Sequence, residues 1–136
     1  MLPELMFSVP ATAPLRLPLD VENCLDEYEG SGAEVVITVT NARRSPYFNM
    51  VTIKADKTVH LVSPPHLPLI SRQQAPVVYD MTTISYAAST EFVMTHNTIF
   101  EGRVKAVHMP PARGLDICAL QGFRLQNVIQ PRSHLR

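Results

Sequence analysis

The sequence predicts a mainly β fold: an antiparallel β-barrel or sandwich of six to eight strands with one short N-terminal helix. Three observations favour this fold class. Proline supplies 12 of the 136 residues and glycine only 5, a balance that suits strands and stiff connections better than a helical bundle. Most apolar segments alternate with the two-residue period of a strand. Only one segment has the period of a helix.

The four prolines in residues 1–19 disfavour a helix or a central strand there, so this segment is expected to be an extended arm. A single β-rich domain is expected over residues 20–130, followed by a polar tail at 131–136. The apolar side chains of the arm pack either along their own domain or on a neighbouring subunit. The second alternative makes them candidate interface residues, namely Leu2, Leu5, Met6, Phe7 and Val9.

Residues 20–30 carry the helical pattern, in which apolar side chains recur at intervals of three and four. Asp20 is the expected N-cap, because a carboxylate can accept hydrogen bonds from the free N–H groups of the first turn. Gly30 is expected to end the helix in the left-handed conformation. The apolar face comprises Val21, Cys24, Leu25 and Tyr28.

The two-residue period begins after Gly32, and residues 35–40 predict the first strand of the domain. Residues 50–55 and 59–62 predict a hairpin. A loop with an odd number of residues keeps the apolar residues of the hairpin on one face. A three-residue loop from Asp56 to Thr58 would pair Ile53 with Leu61.

Residues 63–76 predict a long proline-rich loop, a kind of segment that tends to be functional or interfacial. Further strands are expected at 77–81, 83–88 and 99–108, and another is expected to begin at Leu115 after a turn at 110–114. In the strand at 99–108, Phe100, Val104 and Ala106 are expected to face inward. Apolar side chains in the long loop form a second candidate interface, comprising Leu67, Leu69 and Ile70.

Charge and motifs exclude several functions. Lys plus Arg equals Asp plus Glu at 12 each, which argues against an acidic tail or nucleic-acid binding by net charge alone. The five histidines and two cysteines lack the paired spacing of a zinc site, so no metal site is predicted. No P-loop, GxGxxG or GxSxG motif occurs, so the sequence predicts no catalytic residue, no cofactor and no enzymatic activity.

Arg43, Arg44, Tyr47 and Phe48 form a basic and aromatic cluster in an expected loop. Cationic side chains neutralise phosphates and aromatic faces stack on bases, so this loop could bind a single strand. The alternative function is therefore an OB-like nucleic-acid-binding module. Cys24 and Cys118 are expected to be reduced thiols, and without a signal peptide or membrane span this predicts an intracellular or virion location.

Two stretches resemble the barrel domain of phage tail-tube and baseplate-hub proteins. EVVITVTNARRSPYFNMVTIK resembles the family's strand, Ser-Pro-x-x-Asn turn and strand. TIFEGRVKAV, followed by LDICALQGF, resembles its Phe-x-Gly-x-Val strand and the alternating strand after it. Together these stretches cover about 45 of the 136 residues. The resemblance implies a barrel, ring formation and a structural role in a virion, and it carries over no catalytic residues.

The sequence therefore predicts a non-enzymatic structural subunit of a larger assembly, such as a virion or phage tail. Its expected partners are protein subunits, in a homo-oligomer or a larger complex. The apolar arm, the proline-rich loop and the zero net charge, which removes a barrier to self-association, all favour this hypothesis. Nucleic-acid binding remains the alternative.

Overall fold

The secondary structure combines six strands and two α-helices in the described part of the chain. The structure, a computed structural model, describes residues 4–64 and 72–117. The described chain also contains two 3-10 turns, at Arg72–Gln74 and Ile99–Glu101. In chain order the other elements are β1 (Leu5–Ser8), α1 (Pro18–Ser31), β2 (Val35–Asn41), β3 (Val51–Ile53), β4 (Val59–Leu61), β5 (Tyr79–Ser89), α2 (Thr90–Thr95) and β6 (Val104–His108).

The chain folds as two units. The first contains the residues before Asn41 together with those from Met81 onward, and the second is the insertion Asn41–Asp80. The single domain expected over 20–130 stays a prediction, and the tail at 131–136 lies outside the described residues.

The first unit is built on a four-stranded sheet with the order β1-β5-β2-β6. β1 runs antiparallel to β5, whereas β2 runs parallel to β6. Between β5 and β2, the N–H of Ser89 donates to the carbonyl of Glu34 at 3.0 Å, and the Thr38 hydroxyl donates to the carbonyl of Ser85 at 3.2 Å. Residue numbers rise along one strand as they fall along the other, so this pair is antiparallel. The sheet is mixed.

Helices cover both faces of this sheet. On one face α1 packs through Cys24 and Tyr28 against Val36 and Ala87. On the other face Phe92 of α2 packs against the alternate β2 residues, Val35 among them. Alternation along β2 sends successive side chains to opposite faces, so a fully buried strand needs cover on both sides.

The prediction of a mainly β barrel or sandwich is wrong. In the described part of the chain the sheet is open, with β1 and β6 at its two edges. One strand pair is parallel, which needs a long crossover connection. The fold is therefore mixed α/β.

α1 begins earlier and ends later than the pattern predicted. Leu17 is the N-cap and Pro18 the first helical residue, a position where the missing N–H of proline costs nothing. Asp20 is therefore not the N-cap. It lies at the third helical position, where its Oδ2 accepts the N–H of Leu17 at 2.9 Å. Gly32, with φ of 63°, ends the helix in place of Gly30.

The segment at 99–108 is only partly a strand. Ile99–Glu101 forms a 3-10 turn, and β6 begins at Val104. Phe100 is 66% exposed, although the alternation of this segment predicted an inward position. Glycine occupies position 102 because a Cβ there would lie 2.5 Å from Cε2 of Phe92.

The second unit contains the hairpin of β3 and β4, and its odd loop is confirmed. Ile53 lies opposite Val59, so the register differs by two residues from the predicted pairing with Leu61. The N–H of Lys54 donates to the carbonyl of Thr58 at 3.0 Å, which closes a three-residue loop. Lys57 supplies the left-handed residue, with φ of 67°, where glycine is the usual choice.

No helix in residues 4–64 and 72–117 is long and apolar enough to cross a membrane. The longest, α1, has 14 residues, whereas a span needs about 20.

Cys24 on α1 is expected to resist alkylation. Its side chain is fully buried, and burial raises the pKa of the thiol above its usual value. Because the thiolate is the reactive form, iodoacetamide should modify Cys24 slowly in the native protein and rapidly in urea. Mass spectrometry of a Cys118→Ser variant checks this without interference from the second cysteine. Rapid native labelling would contradict the packing of α1 on the sheet.

Candidate functional site

A cavity of about 490 Å³ lies in the first unit, between one face of the sheet and the segment that contains α2. Its walls are mostly apolar. Five side chains supply polar groups to an otherwise hydrophobic lining, namely Ser8, Tyr86, His96, Asn97 and Thr98. The lining residues are Met6, Ser8, Val35, Met81, Tyr86, Ala88, Phe92, Val93, His96, Asn97, Thr98 and Ile99. We refer to this space as the Tyr86 cavity.

α2 and its ends position one wall of the Tyr86 cavity. The Oγ of Ser89 accepts the N–H of Phe92 at 3.1 Å, which caps the helix at its N-terminus. His96 follows the last turn, and its ring stacks on Phe92 with centroids 4.3 Å apart. The Nδ1 atom of His96 lies 2.9 Å from the Thr95 hydroxyl. These contacts fix two of the rings that face the cavity.

Tyr86 lines the cavity, whereas a separate polar cluster lies outside the lining. The Tyr86 hydroxyl donates to the carbonyl of Thr82 at 2.5 Å. Burial raises the pKa of Tyr86, and the negative charge of Asp116 raises it further.

Three oxygen-bearing side chains form this polar cluster, which we call the Asp116 cluster. The Thr83 hydroxyl donates to Oδ2 of Asp116 at 3.3 Å, and the Thr12 hydroxyl donates to Thr83 at 3.2 Å. The main chain ties the same segments together, since the N–H of Ile117 donates to the carbonyl of Thr12 at 2.9 Å. All three side chains are half-buried.

Two arginines support the segments around this cluster. Nη1 of Arg16 donates to the carbonyls of Pro10 and Ile84, at 2.8 and 2.6 Å. Arg113 forms an ion pair with the fully buried Asp20, with Nη2 3.0 Å from Oδ1. Neither guanidinium lines the Tyr86 cavity.

Apolar walls that carry a few hydroxyl, amide and imidazole groups suit a small ligand with both apolar and polar groups. The sequence indicated no site here because its members come from three segments more than thirty positions apart. Within the described ranges, no three His, Cys, Asp or Glu side chains come together in a way that would hold a metal ion.

Arg43, Arg44 and Phe48 line a separate hollow of about 270 Å³ in the second unit. Both arginines are exposed, and Phe48 is half-buried. Tyr47 is half-buried as well, and its N–H donates to the Ser45 hydroxyl at 3.3 Å. The structure thus brings three of these four residues to one hollow.

The arm residues divide between core and surface. Leu5 and Phe7 are half-buried and pack against the cluster that includes Cys24. Met6 and Val9 are 45% and 46% exposed. Their role as an interface stays a prediction. The other candidate interface residues, namely Leu2, Leu67, Leu69 and Ile70, lie outside the described residues.

No protein-family model matches the chain. Post-translational flagellin modification protein B of Campylobacter coli is 24% identical to it over 131 residues, or 96% of this chain and 54% of that protein. CMP-N,N'-diacetyllegionaminic acid synthase of Campylobacter jejuni is 29% identical over 90 residues, or 66% of this chain and 37% of that protein. The chain thus spans about half the length, or less, of these curated relatives.

The fold has a solved counterpart. The crystal structure of 4-diphosphocytidyl-2C-methyl-D-erythritol synthase from Anaerococcus prevotii superposes with a TM-score of 0.59 at 15% identity. The match covers 95% of this chain and 59% of that one. It agrees with the mixed α/β sheet rather than with a barrel.

These comparisons overturn the functional interpretation of the sequence. The resemblance to phage tail-tube and baseplate-hub proteins is wrong, because the similar proteins are a flagellin modification protein and CMP-N,N'-diacetyllegionaminic acid synthase. The same finding contradicts a non-enzymatic structural subunit of a virion and its alternative, an OB-like nucleic-acid-binding module. Two short barrel-like motifs had suggested the resemblance, and a β-strand followed by a turn recurs in many folds.

Proposed function

We propose that this chain acts in nucleotide-sugar biosynthesis as a cytidylyltransferase-type enzyme that joins CMP to a sugar acid. The observation that carries the proposal is the 29% identity to CMP-N,N'-diacetyllegionaminic acid synthase over 90 residues, and the 24% identity to the flagellin modification protein extends the similarity to nearly the whole chain. The similarity to CMP-N,N'-diacetyllegionaminic acid synthase suggests the product class.

The proposed reaction is a nucleotidyl transfer. A hydroxyl oxygen of the sugar acid attacks the α-phosphorus of CTP and forms a new P–O bond. The bond between the α-phosphorus and the bridging oxygen breaks, and pyrophosphate leaves with that electron pair. The hydroxyl proton passes to a base, so the products are the CMP-sugar acid, pyrophosphate and a proton.

The Tyr86 cavity fits the acceptor sugar better than the triphosphate. Its lining contains no lysine or arginine, the side chains that bind phosphates most strongly. The name of the Campylobacter jejuni product indicates two N-acetyl groups, whose methyls suit walls such as Phe92 and Ile99. We therefore place the acylated part of the sugar in this cavity.

Asp116 is the proposed partner of the reacting sugar hydroxyl. It is a half-buried carboxylate held by the Thr83 hydroxyl, and its charge acts on Tyr86 at the cavity. A carboxylate in this position can accept a hydrogen bond from the hydroxyl and take its proton as the P–O bond forms.

Saturation-transfer NMR of the full chain with N,N'-diacetyllegionaminic acid tests the acceptor site. We expect the N-acetyl methyl protons to receive the strongest saturation, and we expect Ile99→Lys, which places a charge in the wall, to abolish it. Ile53→Lys is the matched control, since Ile53 is 70% exposed in the second unit. Absence of binding by the wild-type chain, or equal binding by Ile99→Lys, would refute the proposed site.

Turnover supplies the second test. With CTP, Mg²⁺ and the sugar acid, the chain should release pyrophosphate and form the CMP-sugar acid, detected by mass spectrometry. Asp116→Asn should lower the rate by about 100-fold or more, the usual contribution of acid–base catalysis. Asp26→Asn, an exposed change on α1, should keep the wild-type rate. A rate that is unchanged in Asp116→Asn would remove Asp116 from the mechanism.

The expected self-association and intracellular location belong to this proposal as well. The exposed Val9 of the arm is the surface we propose for a second copy of the chain, because Met6, although exposed, also lines the Tyr86 cavity. Light scattering of the purified chain tests it, because a monomeric mass at high concentration would contradict self-association.

A further inference from the structure

The Asp20 carboxylate, which has no access to solvent, uses both of its oxygens in polar contacts, and one of them forms an ion pair with Arg113. Oδ2 accepts the N–H of Leu17 at 2.9 Å. Oδ1 accepts the Nε hydrogen of Arg113 at 3.0 Å and lies 3.0 Å from Nη2. Asp20 is fully buried and the Arg113 side chain is 27% exposed. The pair therefore connects the first turn of α1 to a residue 93 positions later in the chain.

Arg113 belongs to a segment, residues 109–117, that crosses the first unit without regular secondary structure. The N–H of Met109 donates to the carbonyl of Val39 at 2.7 Å and anchors its beginning on β2. The N–H of Ile117 donates to the carbonyl of Thr12 at 2.9 Å and anchors its end. Between them, Gly114 lies so close to β5 that a Cβ would be 3.0 Å from Cγ2 of Thr82.

We propose that the Asp20–Arg113 pair is the positioning device of the site: it holds the 109–117 segment in the one path that places Asp116 within hydrogen-bond distance of Thr83. The inference rests on the proposed function only where it treats Asp116 as a residue of the site. Arg113 and Asp20 themselves are positioning residues, because they act through Asp116.

The geometry of the pair explains why it fixes a position. A guanidinium is planar and presents its N–H groups in a rigid fork, so two contacts from Arg113 define the direction of the side chain as well as its distance. The acceptor is equally fixed, since Asp20 lies in a helical turn and its second oxygen is held by the N–H of Leu17. Asp116 follows Arg113 by three residues, and the close approach of Gly114 leaves little freedom between them.

Hydrogen exchange at two amides of the same segment tests the proposal without any ligand. Arg113→Lys keeps the positive charge but loses the planar guanidinium and its rigid set of N–H donors. We expect it to reduce the hydrogen-exchange protection of the Ile117 amide by about tenfold or more. The Met109 amide, which precedes Arg113, should keep its protection in the same sample. Equal loss at both amides would mean that Arg113 merely stabilises the fold, and no loss at Ile117 would mean that it positions nothing. Either result overturns the proposal.

The pKa of Tyr86 depends on the position of the Asp116 carboxylate and can therefore be used to detect its displacement. Since that negative charge raises the pKa of Tyr86, Asp116→Asn should lower it. Arg113→Lys should also lower the pKa of Tyr86. In the variant that carries both Asp116→Asn and Arg113→Lys, this pKa should be no lower than in Asp116→Asn alone. ¹³C-labelled tyrosine gives the signal, assigned through Tyr86→Phe, with the other three tyrosines as internal references. Arg103→Lys, an exposed arginine, is the matched control and should leave Tyr86 unchanged.

Two further results complete the test. Asp20→Asn combined with Arg113→Gln removes both charges of the ion pair. This variant should show the same loss of protection at the Ile117 amide and the same lowering of the Tyr86 pKa. If neither Arg113→Lys nor this double variant folds, the pair is a general folding element and the proposal is wrong. None of these measurements uses a nucleotide or a sugar, so a chain that binds no sugar acid refutes the proposed function while the positioning result stands or falls separately.

Discussion

Val36→Asp is expected to prevent the protein from folding. Val36 lies in β2, the strand between β5 and β6, and its side chain has no exposed surface. It packs against Cys24, Ala33 and Ala87 under α1, so a carboxylate there would be surrounded by apolar side chains. Burying an unpaired charge costs on the order of 4 kcal/mol or more, a large share of the 5–15 kcal/mol that stabilises a typical domain.

Val59→Asp makes the same change in a strand that is open to solvent. Val59 is 56% exposed in β4 of the second unit, so the new carboxylate keeps its water. We expect a change in the free energy of unfolding of less than about 1 kcal/mol. Circular dichroism and urea unfolding of the two variants measure the contrast. A folded Val36→Asp protein with a normal transition would contradict the central place of β2.

Phe92→Ala is expected to reduce the free energy of unfolding by about 3–5 kcal/mol. The ring of Phe92 is 4% exposed, packs with Val35, Ile37 and Ala88, and forms part of the wall of the Tyr86 cavity. Its removal loses this packing and the stacking with His96, and it opens the cavity further. Urea unfolding measures the loss, and the proposed sugar binding should weaken in the same variant.

Phe100→Ala is the matched control, because Phe100 is 66% exposed in the 3-10 turn that precedes β6. Its unfolding free energy should stay within about 0.5 kcal/mol of the wild type. If Phe92→Ala is as mild as Phe100→Ala, then α2 does not pack on the sheet as described.

The individual elements were easier to predict than their arrangement. The run 35–40 predicted a strand correctly because β-branched residues on both faces favour a buried strand wherever it pairs. The hairpin loop was odd as predicted, since the alternation of Val51, Ile53, Val59 and Leu61 allows only that parity. Pairing partners were not predictable in this way. The parallel pairing of Val35 with Val104 depends on contacts that no local pattern records.

Two local errors have identifiable causes. α2 has six residues, too few for helical periodicity, and only Ser89 as a capping residue indicated it. The segment from Phe100 to Ala106 alternates like a strand, although its first part forms a turn. Gly102 breaks the strand there, because its backbone lies directly against the Phe92 ring.

The site was less predictable still. Thr12, Thr83 and Asp116 are ordinary polar residues in their own segments, and no motif marks any of them. They meet because the mixed sheet and the 109–117 segment bring separate parts of the chain together. Arg43 and Phe48, which did form a visible motif, belong to a different hollow in the second unit.

The parallel pairing of β2 with β6 also constrains how the protein is made. The backbone N–H of Arg103 meets the Glu34 carboxylate across 69 positions of sequence, and the insertion Asn41–Asp80 separates β2 from β5. Closing such loops costs chain entropy before any sheet contact offsets it, so folding should be slow for a chain of this size. During synthesis the apolar run 35–40 leaves the ribosome well before either neighbouring strand exists. The nascent chain therefore exposes an unpaired, aggregation-prone strand while many further residues are synthesised. Such a chain is expected to bind chaperones.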